Sequence, residues 1–159
     1  MFNIIVLKFE GDFDMAKGLA LNFQGYQINH LRYDIDNVSS EVLNYGEKMS
    51  VGFSNVKTGV SADNRQAVFS CGVLVESKLA NGKGEEVSFR KITFDYTGIF
   101  SVINAEEKEI TKDDILTLFD EGASYIATSY IKDIVKNISN LDYRMPLNVN
   151  VPQFPNGLK

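Results

Sequence analysis

The sequence predicts an α+β fold in which a curved antiparallel sheet of four core strands is backed by one long C-terminal helix. Between about residues 26 and 103, apolar and polar residues alternate, as they do in strands that bury one face. Over residues 111–141, apolar residues instead recur at gaps of three and four, which is the spacing of one helical face. The chain of 159 residues is long enough for one domain with a substantial core.

Residues 1–23 are predicted to form an extra N-terminal strand or arm. The apolar run at residues 2–9 is typical of a strand, whereas residues 15–23 fit either a helical turn or a strand. The run lacks the basic start of a signal peptide and is interrupted by Lys8 and Glu10. Since no segment approaches the length of an apolar membrane span, we expect no membrane insertion.

The first core strand is predicted to contain a β-bulge. Its apolar positions alternate up to His30, and the alternation changes phase from Leu31 onward. One extra residue in a strand transfers the apolar set to the other face, so a bulge between these two residues explains the change. The polar connection at residues 36–46 is longer than the roughly four to six residues usual in compact domains, which indicates a functional loop.

A half-buried strand around residues 49–54 and a hairpin complete the predicted sheet. The hairpin pairs residues 69–79 with residues 87–103, and its turn contains Asn81 and Gly82, residue types that accept the positive φ of tight turns. Gly98 lies inside the last strand, where a glycine indicates a kink or a close approach of neighbouring groups.

The helix is predicted to begin at Thr111, because Thr111 and Asp114 have the spacing of a capping box. Its main apolar row consists of Ile115, Leu118, Phe119, Gly122, Ile126, Tyr130, Ile134, Ile138 and Leu141. A second row beside it consists of Ala123, Ala127, Ile131 and Val135. One sheet needs only one row, so the second row is predicted to pack against another subunit. On this interpretation Ala127→Arg dissociates the oligomer and harms the protomer at most mildly.

The composition argues against several classes of function. The net charge is −5, and no basic cluster interleaves with aromatic residues, so we expect no nucleic-acid partner. The single cysteine, Cys71, excludes an internal disulfide and a cysteine-built metal cage. One cysteine is also typical of a reduced interior, which predicts a cytoplasmic location.

Each candidate for catalysis or metal binding has a simpler structural interpretation. His30 is the only histidine, and Asp34 lies four strand residues away, which is roughly 13 Å and too far for contact. Cys71 alternates with apolar residues and is predicted to be a core residue. Asp113 and Asp114 complement the dipole at a helix N-terminus. The sequence therefore predicts no catalytic residues, no metal site and no cofactor.

Two patches of the sequence resemble the SecB family of export chaperones. Residues 97–102 read Thr-Gly-Ile-Phe-Ser-Val, similar to the strand end that precedes the long helix in that family. The residues after the helix that match the family are Pro146, Leu147, Asn148, Val149, Pro152 and Phe154. Together with the order of elements, the resemblance covers residues 24–155, and residues 1–159 are predicted to form a single SecB-like domain.

The resemblance implies a four-stranded sheet backed by a long helix, assembled as a dimer of dimers. It also implies binding of unfolded or extended polypeptides along apolar grooves, without ATP. The polypeptide-binding residues are expected on the bent first strand and the long loop, namely Tyr26, Ile28, Leu31, Tyr33, Val38, Val42, Leu43 and Tyr45. The last strand is expected near the subunit interface through Ile92, Phe94 and Tyr96.

Two departures from the family pattern keep other functions open. The chain ends at Lys159, without the tail through which classical members engage the SecA motor, and the family does not require residues 1–23. A chaperone that accompanies a toxin–antitoxin pair fits equally well, as does a further SecB-fold family of low-GC bacteria. A regulatory or structural homo-oligomer whose apolar surface is consumed by self-association is an alternative, followed by a small-molecule enzyme.

Overall fold

A computed structural model of the chain describes residues 18–142 and 144–149. One antiparallel sheet has the order β1-β4-β3-β2. Its strands are β1 (Leu19–Ile35), β2 (Gly46–Val60), β3 (Gln66–Ala80) and β4 (Glu86–Asn104). Two helices follow, α1 (Lys112–Leu118) and α2 (Ser124–Ser139). The predicted strand at residues 2–9 lies outside the described residues. The predicted α+β class and the four-stranded sheet are confirmed.

The long loop after β1 is explained by the topology of the sheet. Because β1 and β2 form opposite edges, the connection must cross three strand spacings, or roughly 15 Å. Residues 36–45 make this crossing and contain a single 3-10 turn, Val42–Asn44. The loop therefore covers the end of the sheet at which the β3–β4 hairpin turns.

The predicted β-bulge in β1 is confirmed. The register with β4 shifts between Asn29 and Arg32, and His30 has a left-handed φ of 52°. Ile28 pairs with Tyr96 and Tyr33 pairs with Ile92, so five steps along β1 correspond to four steps along β4. The extra residue keeps the apolar side chains on the helix side of the sheet before and after the bulge.

The first strand begins earlier than expected. Leu19 pairs with Asn104 and Phe23 pairs with Phe100, so the end of the segment predicted as an arm belongs to the sheet. Leu19, Leu21 and Phe23 pack against the core on alternate positions, which resolves the ambiguity between helix and strand in favour of a strand.

The helical region is divided in two, whereas the periodicity predicts one continuous helix. The capping box of Thr111 and Asp114 is present as predicted. After Leu118 the chain makes a π-helical turn, Phe119–Ala123, in which Gly122 has non-helical angles of φ 178° and ψ −25°. Glycine costs about 1 kcal/mol relative to alanine inside a helix, so the chain leaves the helical conformation most easily there.

The core lies between the helices and the two central strands. The buried side chains of the sheet include Phe69, Cys71, Val73, Val75, Ile92, Phe94, Tyr96 and Phe100. The buried residues of α2 are Ala127, Thr128, Ile131, Ile134, Val135 and Ser139. The close approach predicted at Gly98 is confirmed, because a Cβ atom there would lie 3.2 Å from the hydroxyl of Tyr96 and 3.3 Å from the ring of Phe100.

Candidate polypeptide-binding surface

The helices cover the central strands of the sheet but leave the side chains of β1 partly open. On β4, the helix-side residues Ile92, Phe94 and Tyr96 are at most 2% exposed. The neighbouring β1 side chains on the same face of the sheet are half-buried or exposed, and Tyr26 is 43% exposed. We name these side chains the β1 margin: Leu19, Leu21, Phe23, Tyr26, Ile28, Tyr33 and Ile35.

The edge of β1 that points away from β4 pairs with no strand among the described residues. Its backbone N–H and C=O groups form a template to which another extended chain can add. Register shifts at Gly25 and at His30 interrupt this edge. Because bulges break the ladder of hydrogen bonds, the edge suits a short extended segment better than a long flat strand.

An aromatic cluster lies at the middle of the β1 margin. Tyr130 of α2 stacks on Phe23 with 4.5 Å between ring centroids and lies 5.4 Å from the ring of Tyr26. Tyr26 in turn stacks on Tyr96 at 5.7 Å. Tyr96 is fully buried, whereas Tyr26 is 43% exposed. We name Phe23, Tyr26, Tyr96 and Tyr130 the aromatic cluster. Tyr96 is its buried member and Tyr26 its most exposed one.

A buried arginine holds the end of the sheet beneath residues 36–45. The guanidinium of Arg90 donates from Nε and Nη2 to Glu47 at 2.8 and 2.6 Å, and from Nη1 to Asp142 at 2.9 Å. It also donates to the carbonyl of Met145 at 3.3 Å. The Arg90 side chain is only 1% exposed. The hydroxyl of Tyr33 donates to Asp142, so this Arg90 junction ties β1, β2 and β4 to the segment after α2.

The junction stabilises its charged groups in their ionised forms. Desolvation raises the pKa of Asp142, but hydrogen bonds from Tyr33, the backbone N–H of Arg144 and Arg90 outweigh it, and the net pKa lies below its usual value. Desolvation lowers the pKa of Arg90, and the two carboxylates more than reverse this effect. Burial, together with Asp142, raises the pKa of Tyr33 to about 12, so its hydroxyl stays a donor.

These shifts predict that acid weakens the fold through Asp142. Its folded pKa is below the ordinary value of 3.8, so below that pH the unfolded state binds more protons than the folded state. The stabilisation is therefore complete well above pH 3.8 and is lost as the pH falls through the folded pKa. Urea unfolding at several pH values measures the free energy of unfolding. Between neutral pH and pH 3 this free energy should fall less steeply with decreasing pH in Asp142→Asn than in the wild type. Equal slopes would contradict the prediction.

The loop residues predicted to bind polypeptide lie around the end of the sheet and are partly buried. The carbonyl of Leu43 accepts a hydrogen bond from Arg144 at 3.1 Å, and the guanidinium of Arg144 lies 5.2 Å from the ring of Phe89. The hydroxyl of Tyr45 donates to Glu85 at the hairpin turn over 3.5 Å. The half-buried loop residues of the predicted set are Val38, Val42, Leu43 and Tyr45.

The eight predicted polypeptide-binding residues therefore do not form one pocket. Tyr26, Ile28 and Tyr33 belong to the β1 margin, and Leu31, 51% exposed, lies in the bulge beside them. The ten residues from Tyr26 to Ile35 alone span roughly 30 Å of strand. The set follows a path along β1 and around the end of the sheet, which is the shape of an extended ligand.

The residues predicted at the subunit interface lie in the core of the protomer. Tyr96, Ala127 and Ile131 are 0% exposed, and the other described members of that set are buried in the same core cluster: Ile92, Phe94 and Val135. A side chain buried inside the protomer has no surface to offer a second subunit, so this burial argues against a direct contact with one. The side chain of Ala123 lies outside the described residues. Self-association itself stays a prediction.

Both helical rows contribute to the core: Ile115, Phe119 and Ile134 of the main row are buried as predicted, and the described residues of the second row are buried beside them. On α2 the core-facing residues are Ala127, Ile131, Ile134 and Val135, each at most 5% exposed. Ile126, Tyr130 and Ile138 are half-buried at the boundary of the core.

His30 and Cys71, the residues considered for chemistry, have different surroundings in the structure. His30 Nδ1 is 2.7 Å from Asp95 Oδ2, and both side chains are more than half exposed. Cys71 is buried as predicted, and desolvation, followed by the charge of Asp95, raises its pKa to about 12. Among the described residues, no group of three or more histidine, cysteine or acidic side chains could hold a metal ion. No described helix is long and apolar enough to cross a membrane.

Comparison with known proteins identifies the fold. No protein-family model matches the chain, and no curated protein matches it. The Mycobacterium tuberculosis SecB-like chaperone Rv1957, solved in complex with a ChAD peptide from the antitoxin HigA1 (Rv1956), is similar in structure. The TM-score is 0.61 at 11% identity, covering 83% of this chain and 90% of that one.

A protein of unknown function from Streptococcus agalactiae gives a TM-score of 0.35 at 13% identity, covering 84% of this chain and 98% of that one. The first likeness, with the observed sheet order and helices, shows that this chain has a SecB-like fold.

Proposed function

We propose that the protein binds unfolded or extended polypeptides along the β1 margin, without ATP and without catalysing a reaction on them. The observation that carries the proposal is the row of partly exposed apolar side chains beside an unpaired strand edge. In an extended client, every second side chain points the same way, at a repeat of roughly 7 Å. The β1 margin has the same repeat, so alternate client side chains can meet it in register.

The strand edge adds a contribution that does not depend on client sequence. Main-chain hydrogen bonds to a sheet edge bind any extended segment, while pockets for alternate side chains supply preference. The register shifts at Gly25 and His30 confine this pairing to a short stretch between them. The protein would then bind many clients weakly at each site, as a chaperone requires.

The structural comparison supports a polypeptide as the class of ligand. The similar structure is that of a SecB-like chaperone, and it was solved with an antitoxin peptide. For this chain we propose extended polypeptide clients and a homo-oligomer such as a dimer of dimers.

The direct test is protection of a denatured model protein from aggregation. Light scattering is followed after dilution from denaturant, with this protein at stoichiometric concentration and no nucleotide present. We expect scattering to fall as the protein is added. If there is neither protection nor binding of the unfolded chain, the proposal is wrong. If self-association instead covers the β1 margin, the protein should neither protect nor bind the unfolded chain, and its assembly mass should be high.

Replacing Tyr26 by aspartate should weaken client binding at least tenfold. Aromatic anchors typically contribute 2 kcal/mol or more to binding, which is roughly 30-fold in affinity, and a carboxylate opposes apolar contact. Because Tyr26 also stacks on Tyr96, the thermal midpoint should fall as well, so binding is compared well below the midpoints of the variant and the wild type. Fluorescence anisotropy with a labelled apolar peptide measures the affinity.

Tyr125→Asp is the matched control for this variant. It makes the same substitution at a tyrosine of α2 that is 53% exposed and outside the aromatic cluster. We expect the Tyr125 variant to bind like the wild type. Equal losses in the two variants would place the binding surface elsewhere.

A further inference from the structure

The open edge of β1 has a regular stretch at its beginning, before the first register shift. From Leu19 to Phe23 each residue of β1 pairs with one residue of β4 in unbroken register. No strand in the described part of the chain pairs with the opposite side of this stretch. Its helix-side residues Leu19, Leu21 and Phe23 are only half-buried. An uninterrupted apolar edge readily adds another strand, and proteins usually cover such an edge.

The chain itself enters the sheet at this point. The carbonyl of Gly18 accepts a hydrogen bond from the N–H of Ala105 at 3.0 Å, which fixes where β1 begins. The φ of Gly18 is 59°, a left-handed value, so the chain turns there. The apolar run at residues 2–9, which precedes the described part of the chain, is joined to Gly18 by residues 10–17. A connection of this length, which contains Gly11, can reverse the chain and bring the run beside β1.

The alternation within residues 2–9 indicates which side chains would face the helices. The set at odd positions carries no charge and consists of Asn3, Ile5, Leu7 and Phe9. The set at even positions consists of Phe2, Ile4, Val6 and Lys8. Burying an unpaired lysine is costly, and a lysine on an edge strand usually points outward. Since opposite residues of an antiparallel pair share a face, the charge-free set would lie beside Leu19, Leu21 and Phe23.

Resting on the proposed function, we infer that residues 2–9 pair antiparallel with the beginning of the β1 edge of their own chain and exclude clients from it until they leave. The run has the chemistry proposed for a client, because it is apolar and alternates with the repeat of the β1 margin. When Phe9 lies opposite Leu19, the eight-residue run ends near Tyr26, where the stretch proposed for client pairing begins.

The tether favours the edge of the same chain over that of a second copy. A segment on a short connection has an effective concentration on the order of millimolar. An intrinsic dissociation constant of about 0.1 mM for the run would then leave the edge free in roughly one molecule in ten. The apparent affinity of a client that needs the whole β1 margin is reduced by the same factor.

The test compares Ile5→Asp with Ile4→Asp in the full chain. Both variants place a carboxylate in the same apolar run, but only residue 5 faces the helix side. Client affinity is measured by fluorescence anisotropy with a labelled apolar peptide of 17 residues, the length of β1. We expect Ile5→Asp to bind this peptide about tenfold more tightly than the wild type, because its edge is free. Ile4→Asp should bind like the wild type.

A competition experiment needs no variant of the protein. A synthetic peptide of residues 2–9 should displace the labelled client from the wild type, and the same peptide with Ile5→Asp should not. If the unchanged peptide displaces no client, the inference is wrong.

Amide hydrogen exchange measures occupancy of the edge without any client. In the stretch from Leu19 to Phe23, N–H groups that point away from β4 exchange slowly only if another strand accepts hydrogen bonds from them. We expect slow exchange in the wild type and Ile4→Asp and faster exchange in Ile5→Asp, at low and high protein concentration alike. Protection that grows with protein concentration would assign the edge to a second copy and overturn the inference.

The outcomes separate this inference from the proposed function. Equal client affinity in the wild type and both variants overturns the inference and leaves polypeptide binding intact. Equal gains in Ile4→Asp and Ile5→Asp also overturn it, because they contradict the assigned face. If neither the wild type nor Ile5→Asp binds the client, the proposed function is wrong, and hydrogen exchange still decides whether residues 2–9 cover the edge.

Discussion

Arg90→Ala is expected to lower the free energy of unfolding by about 3–5 kcal/mol, because it leaves two buried carboxylates without their common partner. Glu47 and Asp142 are 15% and 5% exposed, so solvent cannot replace the guanidinium. The variant also loses the hydrogen bonds that hold the carbonyl of Met145. Since domains are stable by only about 5–15 kcal/mol, the variant should be largely unfolded at moderate urea concentrations.

The matched control for this experiment is Arg32→Ala. Arg32 pairs with Asp34, but the two side chains are 74% and 41% exposed. Exposed pairs contribute about 0–1 kcal/mol, so this variant should unfold near the wild-type midpoint. Both are measured by circular dichroism during urea denaturation. A loss in Arg90→Ala no larger than that in Arg32→Ala would show that the junction does not hold the fold.

Features encoded within a few residues of sequence could be predicted. The bulge in β1 is visible as a change of phase between His30 and Leu31, since strand side chains alternate with a fixed period of two. The capping box depends on two residues three apart, Thr111 and Asp114, and is read directly. The hairpin turn and the close approach at Gly98 are equally local.

The Arg90 junction could not be predicted as a whole, because its members come from distant parts of the sequence. Glu47, Arg90 and Asp142 meet only when β2, β4 and the segment after α2 are in place. Part of the signal was present nevertheless. Arg90 shares the phase of Ile92 and Phe94, so the alternation of β4 places a charge on the buried face, where it requires a partner.

The candidate surface was predictable along β1 but not around the end of the sheet. Alternation alone places Tyr26 and Ile28 on one face, and the bulge returns Tyr33 to it. The positions of Leu43 and Tyr45 depend instead on contacts with Arg144 and Glu85, which no local pattern encodes. The open aromatic cluster further depends on how far the helices extend over the sheet.

Periodicity alone does not determine the orientation of α2. It identifies two apolar rows but not how far each one faces the sheet. Ala127→Arg distinguishes the two orientations. In the structure Ala127 is 0% exposed within the core cluster, so arginine would introduce both excess volume and an unpaired buried charge. We expect a loss of at least about 4 kcal/mol and a protomer that does not fold, seen as loss of the far-ultraviolet circular dichroism signal.

Ser129→Arg adds the same side chain two residues further along α2 at an exposed position, and should change stability by no more than about 0.5 kcal/mol. The subunit-interface hypothesis for the row containing Ala127 predicts a different result. It requires Ala127→Arg to keep the wild-type spectrum and to elute at a smaller assembly mass. A folded, dissociated Ala127 variant would therefore contradict the observed packing of α2, whereas an unfolded one beside a folded Ser129 variant assigns the small-residue row to the core.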